Sequence, residues 1–207
     1  MLLVPALLLF PLTGRAADVS DLTYTTTNGA VTITDCLETA RGTLIIPATL
    51  DGNPVTCIGY AAFSFCASLT SMTLPDSVMS LGNEAFSDCT SLTSMTLGNR
   101  VTSIGDWAFF LCRDLTNIYF DGDAPSVGTD AFAGIASGAK TYVFPVSASG
   151  FGGTGATWNG LAVEILDDRE TPSFKSVMMD ADQAAKADFI RLSGVVAPSE
   201  SSIFPPR

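Results

Sequence analysis

The stretch Ser68-Leu69-Thr70-Ser71-Met72-Thr73-Leu74 returns residue for residue as Ser91-Leu92-Thr93-Ser94-Met95-Thr96-Leu97, 23 positions further on. The same spacing joins Ile58-Gly59, Leu81-Gly82, Ile104-Gly105 and Val127-Gly128. A period of this length means a stack of similar coils, each burying its apolar residues against the next. Aligned on the period, the units read Ala62-Phe63, Cys66, Leu69, Met72, Leu74, then Ala85-Phe86, Cys89, Leu92, Met95, Leu97, then Ala108-Phe109, Cys112, Leu115, Ile118, Phe120. A fourth, degenerate unit has Ala131-Phe132, puts Ile135 in place of the cysteine, and ends in the apolar strand Tyr142-Val143-Phe144.

In each unit Leu-x-x-Met-x-Leu alternates apolar and polar residues, the pattern of a short strand with one buried face. Stacking such strands in register gives a parallel sheet. Pro75-Asp76 and Gly98-Asn99 are turn formers that release the chain from the ladder, and Val78 and Val101 bring it back to the core. Gly82 and Gly105 are expected to serve a tight bend or a left-handed backbone conformation. The Ala-Phe pair is expected in about one turn of helix, with Phe63, Phe86, Phe109 and Phe132 in single file through the core.

These positions together, Ile-Gly-x-x-Ala-Phe-x-x-Cys-x-x-Leu-Thr-x-Ile-x-Leu-Pro over about 44–146, resemble the BspA-like leucine-rich repeat family of secreted and surface proteins. The resemblance implies a curved, right-handed leucine-rich repeat solenoid, with a parallel β-sheet on the concave side and short helical turns or loops on the convex side. It also implies a role in adhesion or protein binding at the cell surface.

The rest of the chain fits around the array. Leu2 to Phe10 is strongly apolar, and Gly14-Arg15-Ala16 offers small residues at the positions a signal peptidase reads, so 1–17 is expected to be a secretory signal peptide and the protein to be secreted or held at the surface. The apolar run is shorter than the roughly 20 residues a membrane-spanning helix needs, and no span is expected in the mature chain. Residues 18–57 read as an N-terminal β cap and variant first coil. In that segment Leu22–Thr27 and Ala30–Thr34 flank Asn28-Gly29, a hairpin with a primed turn. The 23-residue repeats are expected over 58–146, a closing segment over 147–166, and a polar linker and tail, partly disordered, over 167–207.

Composition excludes several function classes. With 207 residues of which 47% are hydrophobic, the chain can bury a sizeable core. A net charge of −11 with only ten Lys and Arg leaves no basic stripe for nucleic acid. The chain has no histidine, which removes serine-histidine and cysteine-histidine dyads and the commonest general base. Asp76, Glu84, Asp88, Asp106 and Asp114 fall at turns and outer positions, where acids are solvated, and no pair of them converges. The expectation is therefore a protein that is not an enzyme.

Three of the five cysteines, Cys66, Cys89 and Cys112, lie on the repeat. Equivalent residues of adjacent strands sit about 4.8 Å apart with parallel side chains, which suits a buried ladder of free thiols better than a disulfide or a tetrahedral zinc site. Cys36 and Cys57 lie outside the ladder, and their spacing leaves open whether they pair. Gly150-Phe151-Gly152-Gly153-Thr154-Gly155 matches the dinucleotide-binding glycine pattern, but the following Trp158-Asn159-Gly160 interrupts the helix such a site requires. It reads as a glycine loop leading to the strand Leu161–Ile165. Asp121-Gly122-Asp123 reads as a turn without calcium. No cofactor and no metal are expected.

Function is expected on the side chains that point out of the parallel sheet: Ser71, Thr73, Ser94, Thr96, Asn117 and Tyr119. Small hydroxyls with one tyrosine suit hydrogen bonding to an extracellular protein or glycan ligand. The alternative is a structural, self-associating spacer of the cell envelope.

Overall fold

A computed structural model of the chain describes residues 16–166. The expected signal peptide, apart from Ala16 and Ala17, and the expected tail 167–207 lie outside the described residues. The strands, in chain order, are β1 (Leu22–Thr27), β2 (Ala30–Cys36), β3 (Arg41–Ile45), β4 (Thr49–Leu50), β5 (Asn53–Ile58), β6 (Ser68–Thr73), β7 (Ser80–Leu81), β8 (Ser94–Leu97), β9 (Ser103–Ile104), β10 (Asn117–Phe120), β11 (Ser126–Val127), β12 (Lys140–Val143), β13 (Thr157–Trp158) and β14 (Leu161–Ile165). They form two sheets that share one core, in the orders β1-β2-β5-β7-β9-β11 and β13-β14-β12-β10-β8-β6-β3. From β3 through β14 the second sheet is six parallel rungs. The chain is a β-solenoid, and the register of its long sheet is set by the 23-residue period: Met72 pairs with Met95, and Met95 with Ile118.

Interior positions repeat as the sequence predicts. Phe63, Phe86, Phe109 and Phe132 form one file, with ring centroids 5.1, 5.2 and 5.4 Å apart and planes within 11° of parallel. Aromatic pairs with centroids in this range attract beyond the area they bury. The first three are fully buried, as are Cys66, Cys89 and Cys112 beside them.

The third side of each coil differs from the expected helical turn. Ala61, Glu84, Trp107 and Asp130 stand at φ between 51 and 57°, and Phe65, Asp88 and Leu111 at 62, 56 and 58°, so each coil carries two left-handed residues where a helix has none. The reason lies in the backbone hydrogen bonds. Along this ribbon Glu84, Phe86 and Asp88 send their N–H groups to Asp106, Ala108 and Phe110 of the next coil, at 2.9, 2.7 and 2.8 Å. The N–H groups between them, on Ser87 and Cys89, bond within their own turn to Glu84 and Phe86, at 3.0 and 3.3 Å. Stacking satisfies every second donor, and alternating handedness is what turns those donors toward the neighbouring coil.

Gly82 and Gly105 likewise play a different part from the one expected. Neither has a positive φ. They lie where successive coils approach most closely: a Cβ on Gly82 would stand 2.7 Å from the carbonyl carbon of Gly59, and one on Gly105 2.5 Å from the backbone nitrogen of Asn83. Polar side chains beside this seam join the coils. Asp106 N–H donates to Asn83 Oδ1 at 3.0 Å, Thr129 N–H to Asp106 Oδ1 at 2.6 Å, and Asn99 N–H to Asp76 Oδ1 at 2.9 Å. Asp76 and Asp106, read from sequence as merely solvated, therefore satisfy backbone donors of the following coil.

At the N-terminal edge of the first sheet β1 and β2 form the expected hairpin, with Thr27 opposite Ala30 and left-handed Asn28 and Gly29 between them. At the other end the repeat gives way to an aromatic cluster. Trp158 packs edge-on against Phe120 and Phe151, at 5.2 and 4.8 Å, and tilts over Phe132 at 6.0 Å.

Candidate functional site

The sequence-predicted strip exists as a continuous face of the six-rung sheet. Strand parity sends alternate residues outward, and the register lines them into two columns. One column runs Thr43, Ser71, Ser94, Asn117, Lys140, Ala162, and the other Ile45, Thr73, Thr96, Tyr119, Tyr142, Glu164. All six predicted residues fall on this face, but they are not equally available. Thr96 is 4% exposed, whereas Ser71, Thr73, Ser94, Asn117 and Tyr119 are half-buried.

The face extends two rungs beyond the predicted strip on the C-terminal side, and these rungs carry its strongest chemistry. Tyr119 and Tyr142 stack with centroids 4.8 Å apart and planes 18° from parallel. Burial in this stack, and then the neighbouring Tyr142, push the Tyr119 hydroxyl above its ordinary value, so it stays a neutral donor and acceptor. On the rung of Tyr142, Lys140 Nζ meets Glu164 Oε1 of the following rung at 2.8 Å. That hydrogen bond holds the ammonium charged to higher pH than usual. Both groups are about half exposed, so the pair contributes little to stability and is accessible to a ligand. Tyr142 stands 23 positions after Tyr119, so the repeat itself carried the signal that places it here.

Threonines just ahead of the strands, beside the face, bond from coil to coil. Thr93 and Thr116 donate their side-chain hydroxyls to the Thr70 and Thr93 carbonyls at 2.9 and 3.2 Å, and Asn117 Nδ2 donates to Thr116 Oγ1 at 3.2 Å. Threonines here satisfy the outer ladder as well as offering polar surface. The face as a whole runs from small hydroxyls, through an amide, to two aromatic rings beside a paired lysine and glutamate.

Other sequence signals resolve into structure. In the glycine run, Ala148–Phe151 is a four-residue 3-10 turn, and Gly152 and Gly153 follow it at φ 92 and 84°, so the glycines reverse the chain and no helix N-terminus faces a phosphate. Gly122, between Asp121 and Asp123, lies against the Asn99 backbone, another close approach of coils. Among the described residues no group of three or more His, Cys, Asp or Glu is arranged to hold a metal ion.

The thiols form a longer ladder than the repeat predicts, because Cys36 joins it. Cys36 is buried beside Cys66, whose Sγ reaches the Cys36 and Leu37 carbonyls at 3.9 and 3.8 Å. Cys89 and Cys112 each donate to a carbonyl of the preceding coil, Phe63 and Phe86, at 3.0 Å. The neighbouring thiols of Cys66 and Cys112, and then burial, push the thiols of Cys36 and Cys89 up. Cys57 sits apart on the first sheet, half-buried, accepting from Ser80 Oγ at 3.3 Å. All five thiols are free, and the Cys36–Cys57 bridge that sequence left open does not form.

Comparison with known proteins matches the geometry. A solved Treponema pallidum leucine-rich repeat protein superposes with a TM-score of 0.55 at 26% identity, over 73% of this chain and 64% of that one. This chain thus spans just under two thirds of that relative. A leucine-rich repeat protein from Bacteroides capillosus superposes with a TM-score of 0.51 at 26% identity, over 72% of this chain and 96% of that one. No curated protein matches by sequence. None of the described helices is long and apolar enough to cross a membrane. The BspA type leucine rich repeat region matches residues 44–153 in six copies, and with the six-rung sheet and the file of phenylalanines this establishes that the chain belongs to the BspA-type leucine-rich repeat family.

Proposed function

We propose that the protein is an exported, non-catalytic binding protein that captures an extracellular protein or glycan at the cell surface through the outer face of its six-rung sheet. The observation that carries this reading is the Tyr119–Tyr142 stack with Lys140 and Glu164 on its flank. Stacked rings present flat apolar area at low cost in side-chain entropy, and their hydroxyls give direction to hydrogen bonds. A sugar ring or an extended peptide finds apolar contact, hydroxyl donors and one charge of each sign within three rungs. Export rests on the apolar leader followed by Gly14-Arg15-Ala16.

The test is an array of glycans and extracellular-matrix proteins probed with the wild type and with Tyr142→Ala and Thr73→Arg variants. The expected result is capture of at least one ligand, weakened about tenfold or more by either substitution, the size of effect expected for a central aromatic contact. Capture unchanged by both variants would refute this face as the binding site. A change in oligomer size on the same substitutions would favour the self-associating spacer.

A further inference from the structure

A second surface, on the turn ribbon, carries chemistry that the repeat does not explain. Phe65 and Trp107 are 60% and 41% exposed, although both occupy left-handed backbone positions at φ 62 and 54°. A bulky side chain there costs about 1–2 kcal/mol relative to glycine. Glu84 and Asp88 fill the equivalent positions in the coil between them. Neither burial nor backbone preference accounts for the two aromatic residues.

Together they line a cavity of about 280 Å³. Phe65 forms one wall, Trp107 and Phe110 form the other two coils away, and Ser87, buried and small, forms the floor. Phe65 and Trp107 lie two coils apart and at different left-handed positions of the turn, so they bracket the cavity diagonally, and its volume admits one small rounded group. Glu84 and Asp88 lie on the same cavity. Glu84 accepts from the Tyr60 hydroxyl at 3.2 Å, and Asp88 from Ser87 Oγ at 3.5 Å. Among the described residues no cation pairs with either carboxylate.

We propose that this cavity binds an alkylammonium cation. Aromatic faces attract such cations through the ring quadrupole, by about 0.5–1 kcal/mol at exposed sites and 2 or more when desolvated. The carboxylates of Glu84 and Asp88, which pair with no cation among the described residues, add Coulomb attraction at short range. The alkyl groups of the ligand cover Phe65 and Trp107, which otherwise stand in water. The same chemistry occurs in a free quaternary ammonium such as choline and in a lysine side chain of a partner protein. The cavity lies on the turn ribbon and is separate from the tyrosine face, so it stands or falls independently of the proposed capture site.

The full chain is titrated with choline, with tetramethylammonium and with N-acetyl-lysine methylamide, each against sodium chloride at equal ionic strength, reading tryptophan fluorescence and calorimetric heat. The expected result is saturable millimolar binding of at least one cation, with a fluorescence change that disappears in Trp107→Leu. The neutral isostere of choline, 3,3-dimethylbutan-1-ol, should bind about tenfold more weakly. Preference for choline indicates a free quaternary ammonium, and preference for the lysine derivative a protein side chain. Should Trp107→Leu fail to fold, the double variant Glu84→Gln, Asp88→Asn provides the same test by weakening cation binding several-fold. Absence of saturable binding, or equal binding of the neutral isostere, overturns the proposal.

Discussion

Replacing Gly105 with alanine tests the packing of coil on coil, because two opposite effects set its sign. Gly105 has an ordinary, negative-φ backbone, so a methyl group there restricts the unfolded chain and, with nothing in the way, would stabilise by about 0.4–1 kcal/mol. In the folded stack that methyl would lie 2.5 Å from both the nitrogen and Oδ1 of Asn83 and 2.6 Å from the Gly82 carbonyl carbon. Ordinary contact begins at 3.4 Å, so the seam must open by about 0.9 Å. Two bonds cross it at 3.0 Å, Gly105 N–H to the Leu81 carbonyl and Asp106 N–H to Asn83 Oδ1, and both would stretch beyond hydrogen-bonding range. At about 1 kcal/mol per bond, with the clash partly relieved by relaxation, the net cost is about 1–3 kcal/mol, the range for overpacked interiors. Urea unfolding followed by far-ultraviolet circular dichroism measures it. An unfolding midpoint equal to or above that of the wild type would refute the close approach of coils as the reason for glycine here.

Two further outcomes follow from the interior. Phe86→Ala, in the middle of the ring file, should cost about 3–5 kcal/mol in the same unfolding experiment, and a cost below about 1 kcal/mol would mean that the file does not share its packing between coils. Native protein treated with a chromogenic disulfide should release one thiol equivalent quickly, from half-buried Cys57, and the remaining four of the five slowly. All five should react in denaturant. Two or more fast thiols in the native state would contradict the buried ladder. Because Cys89 is pushed up in the fold by the neighbouring Cys112 thiol and by burial, it holds its proton when the unfolded chain has begun to lose its own. Stability should therefore fall as pH rises past the ordinary thiol value of about 8.5, and a flat profile between pH 8 and 10 would count against it.

The inward half of the fold was legible in the chain because identical neighbours make stacking visible: the phenylalanines, the strand residues and Cys66, Cys89 and Cys112 all sit on one period. The turn ribbon was not legible, since its left-handed positions hold Ala61, Glu84, Trp107, Phe65 and Leu111, residue types that carry no common conformational signal. Its handedness is imposed by hydrogen bonds to the next coil, which no local propensity records. Cys36 escaped because it precedes the regular repeats, yet the fold sets it beside Cys66. On the outer face of the sheet, strand parity aligned Ser71, Thr73, Ser94, Thr96, Asn117 and Tyr119 as the register does. It did not show that Thr96 is nearly covered, nor that Glu164, from the segment after the repeats, continues the column.

The ring file and the side-chain links across the seam treat each coil alike: what Phe86 meets on one side, it meets again on the other. A duplicated or deleted block of this period would therefore find matching partners above and below, while the N-terminal hairpin and the Trp158 cluster stayed at their own ends. Length thus becomes a heritable quantity, adjustable by recombination within the gene without inventing a new interior.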